Sequence, residues 1–199
     1  MKIIKINLSK INPKIVSEAA KIIKSGGVVA MPFDTCYGLT TDATNPKAIR
    51  KIYQIKKRAK SKPISTVFKD LKMAKIYTKI TAQKEKNLKK YFPGPFTIIL
   101  PAQKQAKIAT RFQNTISIRI PDFPLTLALA SLLKKPYTAT SANISGKKSL
   151  WSTQKLILEF KNQVKKPDLI LDAGNLPPNP TSQIIDFTQL EPKIIKRRN

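Results

Sequence analysis

The 199-residue chain has no histidine, one cysteine, one tryptophan, six glycines, and 11 acidic residues against 38 Lys and Arg. Each scarcity removes a class of chemistry. Without imidazole there is no histidine general base and no His-ligated zinc, which excludes most hydrolase and zinc-enzyme designs. A lone Cys36 allows neither an internal disulfide nor a cysteine metal cage, and with no histidine to activate it, its expected role is packing rather than nucleophilic attack. No run of apolar residues approaches the ~20 needed to span a bilayer, and the N-terminus lacks the apolar core of a signal peptide. The glycines form neither a P-loop nor a Gly-x-Gly-x-x-Gly turn, so any phosphate must be held by side chains and isolated turns. Cytoplasm is the expected compartment.

The net charge is +27, and 41% of the residues are apolar, an ordinary share for a globular chain. This length predicts a single domain over 1–199, with no additional domain after it. A lysine-biased composition accounts for part of the charge; attraction for polyanions such as ATP or RNA is the functional reading. Residues 45–90 hold 16 Lys or Arg against Asp70 and Glu85. Short β-branched runs alternate with helical stretches, which predicts an α/β fold. Strands are expected at 3–6, 28–31, 64–68, 96–100, 115–120, 137–141, 169–171, 184–187 and 194–195. Helices are expected after Asn12-Pro13, Asn45-Pro46, Asp70 and Thr81 (the last reaching about Phe92), and over 124–133 and 153–163. The loop 174–180, with three prolines, is the segment expected to be most mobile.

Five polar clusters punctuate these elements: Pro32-Phe33-Asp34-Thr35-Cys36-Tyr37-Gly38-Leu39, Lys56-Lys57-Arg58, Pro93-Gly94-Pro95-Phe96-Thr97, Ile118-Arg119-Ile120-Pro121 and Ser141-Ala142-Asn143-Ile144-Ser145-Gly146. Cations and small neutral donors together suit a phosphate-bearing ligand. Arg58 can hold two phosphate oxygens in its planar fork; a solvated arginine in a basic stretch is the alternative. Ser141 and Asn143, two apart, would share one face of an extended segment, as would Thr115 and Arg119.

From about Gly26 onward this ordered set resembles the YrdC-like family of threonylcarbamoyl-AMP synthases. The resemblance implies a twisted, mixed or antiparallel sheet bent around a concave basic cleft. It also implies a reaction joining L-threonine, bicarbonate or CO2 and ATP, accompanied by Mg2+, into threonylcarbamoyl-AMP and pyrophosphate. The product would serve tRNA modification through downstream transferase proteins. Carried over position by position, Lys56 and Arg58 are catalytic. Arg58, Lys62, Thr115, Asn143, Ser149 and Lys196 bind ATP, while Thr35, Arg119, Ser141 and Ser182 bind threonine. No metal ligand is assigned. Phe33 stands where the family usually has threonine, Gln183 replaces a threonine, and Lys196 and Arg198 occupy places usually held by arginine and glycine. Other readings are a YrdC-like paralogue and a non-catalytic module binding tRNA or double-stranded RNA. A membrane partner is not expected.

Overall fold

The computed structural model describes residues 1–189 and 191–195. Ten strands form one mixed sheet: β1 (Lys2–Lys5), β2 (Val29–Pro32), β3 (Tyr37–Thr40), β4 (Ser65–Val67), β5 (Phe96–Pro101), β6 (Thr115–Arg119), β7 (Tyr137–Ser141), β8 (Leu169–Asp172), β9 (Gln183–Asp186) and β10 (Lys193–Ile195). Their order across the sheet is β1-β8-β2-β3-β7-β4-β6-β5-β9-β10. Some neighbours are parallel (β1/β8, β2/β8, β4/β6, β5/β9) and the others antiparallel (β2/β3, β3/β7, β4/β7, β5/β6, β9/β10).

Among the described residues, six helices pack on this sheet: α1 (Pro13–Lys24), α2 (Pro46–Lys56), α3 (Leu71–Tyr77), α4 (Ala82–Leu88), α5 (Pro124–Leu133) and α6 (Thr153–Phe160). Local chemistry sets where they start. Asn12 and Asn45 each accept hydrogen bonds from the first-turn N–H groups, with proline following at the first helical position. Asp70 and Thr81 do the same for α3 and α4 without the proline. Helix α1 ends at Ser25, before Gly26 at φ +78°, where a side chain would be strained. Helices α4 and α6 stop before Phe92 and Gln163, their expected ends, and β3 is a strand within the polar motif.

The period-two rule decides which half of the sheet carries a site. In β2 and β8, Val29, Met31, Leu169 and Leu171 face α1 and α5, whereas Ala30 and Ile170 face α2 and α6. Both faces are buried, which is why these strands read as unbroken apolar runs. In β5 and β6 the alternation is unequal. Ile98, Leu100, Ile116 and Ile118 pack under Ala74 of α3 and Leu88 of α4, while Thr97, Ile99, Ser117 and Arg119 face the opposite way and floor a cleft. Among the described residues, no helix is long and apolar enough to cross a membrane.

Candidate active site

The cleft has a volume of about 340 Å³. Phe33, Thr35, Cys36 and Gly38 enter from the β2–β3 segment, Arg58, Lys62 and Pro63 from the stretch between α2 and β4, and Ser65 from the start of β4. Thr140, Ser141, Ser149, Thr181 and Ser182 add hydroxyls to the lining. Its charged lining consists of Arg58, Lys62 and Arg119, with no carboxylate. Such a wall is built for an anion.

Arg119 is the best-defined of the three cations. One of its terminal nitrogens donates to both oxygens of Asp34, at 2.7 and 2.9 Å. The pair is nearly buried, with side-chain exposures of 7% and 11%. The guanidinium also lies over the Phe33 ring, 5.9 Å from its centroid. Its Nε is buried and has no partner. A buried donor without an acceptor is costly, whereas the residue as a whole lines the cleft. The Asp34-Thr35 peptide is itself fixed, because Asn179 donates to the Asp34 carbonyl at 3.0 Å and the Trp151 indole to that of Thr35 at 2.8 Å. The loop read as mobile is therefore tied down at Asn179, and again where Leu176 N–H donates to the Trp151 carbonyl. At the same end, the Ser182 hydroxyl lies 2.8 Å from that of Thr97.

Arg58 follows the left-handed Lys57 (φ 48°), the exposed residue that turns the chain out of α2. Its Nε and one terminal nitrogen bond the Lys62 and Pro63 carbonyls at 3.3 and 3.1 Å, which aims the guanidinium at the cleft. Burial lowers its pKa from the ordinary value, and an arginine with so high a starting point stays charged. Cys36 reaches the cleft wall, but burial pushes its thiol up, against weaker opposition from the Ser149 and Thr35 hydroxyls. Tyr37 is core: its hydroxyl bonds Thr153 and the Gly174 carbonyl.

Seven of the expected site residues, Thr35, Arg58, Lys62, Arg119, Ser141, Ser149 and Ser182, line this one cleft. Three do not. Strand β7 ends at Ser141 and the chain turns, with Asn143 N–H on the Ser141 carbonyl at 3.0 Å. The Asn143 amide then swings away from the face of Ser141 and donates to the Ile144 and Lys147 carbonyls at 3.0 and 2.6 Å. The shared-face expectation fails because the segment is not extended. Lys56, only 1% exposed, lies behind the wall. Its ammonium donates to the carbonyls of Ser141 and Asn143 and to Asn143 Oδ1. Thr115 sits at the outer end of β6 and turns its hydroxyl onto the Phe112 carbonyl at 2.9 Å. Lys196 lies outside the described residues. Ser117, between Thr115 and Arg119 on the same face, does line the cleft; period-two reasoning from Arg119 would have found it. Ser65, Thr97 and Thr181 complete the lining and carry no motif signal of their own.

A family model for the Sua5/YciO/YrdC group, described as telomere recombination, matches residues 21–198. The chain belongs to this family. Among its Sua5/YciO/YrdC relatives is a protein named putative threonylcarbamoyl-AMP synthase from Methanocaldococcus jannaschii. It is 36% identical over 185 residues, which are 93% of this chain and 85% of that protein. Threonylcarbamoyl-AMP synthase from Bacillus subtilis is 39% identical over 71% of this chain. The chain spans only 42% of the Bacillus protein, and 52% of the Pyrococcus abyssi synthase, which is 30% identical over 89% of this chain. The structure of P. abyssi Sua5 complexed with L-threonine superposes with a TM-score of 0.87 at 29% identity, covering 98% of this chain and 56% of that one. Escherichia coli YciO, at 23% identity and the same TM-score, shares the fold.

Proposed function

We propose that this protein is an L-threonylcarbamoyladenylate synthase, a nucleotidyltransferase that joins L-threonine, bicarbonate or CO2 and ATP. One observation carries the reading. A nearly buried arginine, held by Asp34, and two further cations, Arg58 and Lys62, line one cleft whose own lining holds no carboxylate. That is the arrangement a small carboxylate and a polyphosphate need side by side. Similarity to synthases, and to a Sua5 structure containing L-threonine, supports it.

The threonine carboxylate would meet Arg119 where it lines the cleft, with Thr35, Ser141 and Ser182 around the amino acid. The triphosphate would lie towards Arg58, Lys62 and Ser149. The threonine amine and CO2 form a carbamate, with one N–C bond made and one proton lost to solvent. A carbamate oxygen then attacks the α-phosphorus of ATP. The new O–P bond forms as the bond to the bridging α–β oxygen breaks, and pyrophosphate leaves with that oxygen's electrons. The nucleophile is already anionic, so the protein's tasks are alignment and charge stabilisation. A chain without histidine can perform both.

Among the described residues, no three Cys, Asp or Glu side chains gather to hold a metal, and Asp34 commits both carboxylate oxygens to Arg119. These residues do not fit a resident ion; Mg2+ would enter on the triphosphate, as part of the substrate. Delivery of the product to tRNA-modifying partner proteins, and a cytoplasmic site of action, belong to the same proposal.

The test is pyrophosphate release from Mg-ATP with threonine and bicarbonate supplied or withheld. We expect release only with both; equal turnover without threonine, or none under any condition, would refute the assignment. Serine should be poorer by roughly 10–200-fold, the range that one missing methyl can produce.

A further inference from the structure

Lys56 is the last residue of α2 and is almost fully enclosed, at 1% exposure. No ion pair to a carboxylate accompanies it among the described residues; its hydrogen-bond acceptors are two backbone carbonyls and one side-chain amide oxygen. A buried ammonium is expensive unless such oxygens satisfy it. All three acceptors belong to Ser141 and Asn143, on either side of the turn where β7 ends. The same turn is tied again through the Lys56 backbone, whose carbonyl accepts from Ser145 N–H at 2.7 Å. Glu159 of α6 holds its far side, accepting from Ile144 N–H at 3.2 Å and from Lys147 Nζ at 2.9 Å.

We propose that Lys56 is a positioning residue that never touches substrate: from behind the wall it clamps the 141–143 turn, and so fixes the Ser141 hydroxyl in the cleft. Geometry separates this role from that of Arg58. Arg58 lines the cleft, whereas the Lys56 ammonium is screened from it by the Ser141 and Asn143 carbonyls that it binds. The spacing of the two residues follows from this division. The residue that ends the helix points inward, the left-handed Lys57 reverses the chain, and the next residue faces the ligand. Methionine could fill the volume left by Lys56, yet it would leave three oxygens facing one another without a donor.

Amide hydrogen exchange in the protein without substrates tests the clamp independently of the synthase reading. In Lys56→Met we expect the amides of residues 142–147 to exchange at least tenfold faster than in wild type, with β2 and β3 unchanged. Lys56→Arg, which keeps the charge and several donors, should restore part of that protection. Should the methionine variant fail to fold, Lys56→Gln carries the same comparison. The functional half, which rests on the proposed activity, is read from pyrophosphate release. The variant with the loosened turn should lose at least tenfold in kcat, and Lys56→Arg should recover kcat in step with its recovered protection. Unchanged exchange with lost activity would mean that Lys56 contacts substrate, and would overturn the proposal. Unchanged exchange with full activity, or a loosened turn with full activity, would overturn it as well. A wild type that releases no pyrophosphate would refute the synthase assignment while leaving the exchange result to decide the clamp.

Discussion

Arg58 and its neighbour Lys57 differ in one respect that matters: only Arg58 faces the cleft. Arg58→Lys keeps the charge but loses the two-pronged grip and the bonds that aim it, so we expect kcat/KM to fall about 10–100-fold, the cost of one or two charge-assisted hydrogen bonds. Lys57→Ala should stay within a factor of two; equal activity of the two variants would move the phosphate site elsewhere. Asp34→Ala would strand the Arg119 guanidinium in a nearly closed space and should cost about 3 kcal/mol or more in denaturant unfolding. Lys56 gives a pH signature with a definite sign. Burial, and after it the Arg58 charge, lowers its pKa from 10.5 to about 7, against the opposing influence of Cys36 and Glu159. Between those two values the unfolded chain holds a proton that the folded one has released, so the Lys56 contribution to stability is least below pH 7 and grows as pH rises towards 10. The stability gap between wild type and Lys56→Met should therefore widen in favour of wild type by at least about 1 kcal/mol over that span. A gap independent of pH would mean that the ammonium is not desolvated.

Helix starts were the most legible elements, because their signal is local. Asn12-Pro13 and Asn45-Pro46 each place an amide oxygen on first-turn N–H groups, and Asn→Ala at either position should lower stability by about 1 kcal/mol in chemical denaturation. Strand β3 was hidden for the opposite reason. Its residues, Tyr37 to Thr40, overlap a polar motif, and although β2 pairs with it as a local hairpin, its other partner β7 comes from 100 residues away. The site divides along the same line. Arg119 and Ser141 lie on strands, where alternation fixes the side they face, and both line the cleft. Asn143 and Lys56 do not line it, because a turn follows Ser141 and because this lysine is buried where a lysine usually seeks water. No local pattern announces that three buried oxygens await its ammonium.

Charge at the scale of the whole molecule is distributed unevenly in function. Lys84, on α4, donates to the Phe187 carbonyl at 2.8 Å and thereby ties the helix to the end of β9; it is not a free surface cation. Lys86, Lys89 and Lys90 are exposed, and none of them lines the cleft. We propose this surface as the place where tRNA would bind; Glu substitutions at these three should then weaken that binding while leaving pyrophosphate release within about twofold. Binding through surface phosphates should also fall steeply with salt, by roughly 0.7–0.9 log units per log unit of salt for each phosphate neutralised. ATP affinity, set in a partly enclosed cleft, should respond far less. Synthesis abolished by these changes in the absence of tRNA would assign α4 to the active site and undo this division of the surface.

The contact between Phe33 and Gly38 limits the order in which this cleft could change. A Cβ at position 38 would lie 2.7 Å from the Phe33 ring, which is itself held beneath Arg119, and 3.3 Å from the Thr140 carbonyl. Gly38→Ala alone should therefore be strongly destabilising. After Phe33→Thr, only the milder backbone contact remains, and the same alanine should be tolerated at a fraction of its first cost. The two substitutions are not independent steps: a lineage or a mutant library could reach the pair by changing position 33 first and hardly at all by the reverse route, so the ring at 33 acts as a one-way gate on variation at 38.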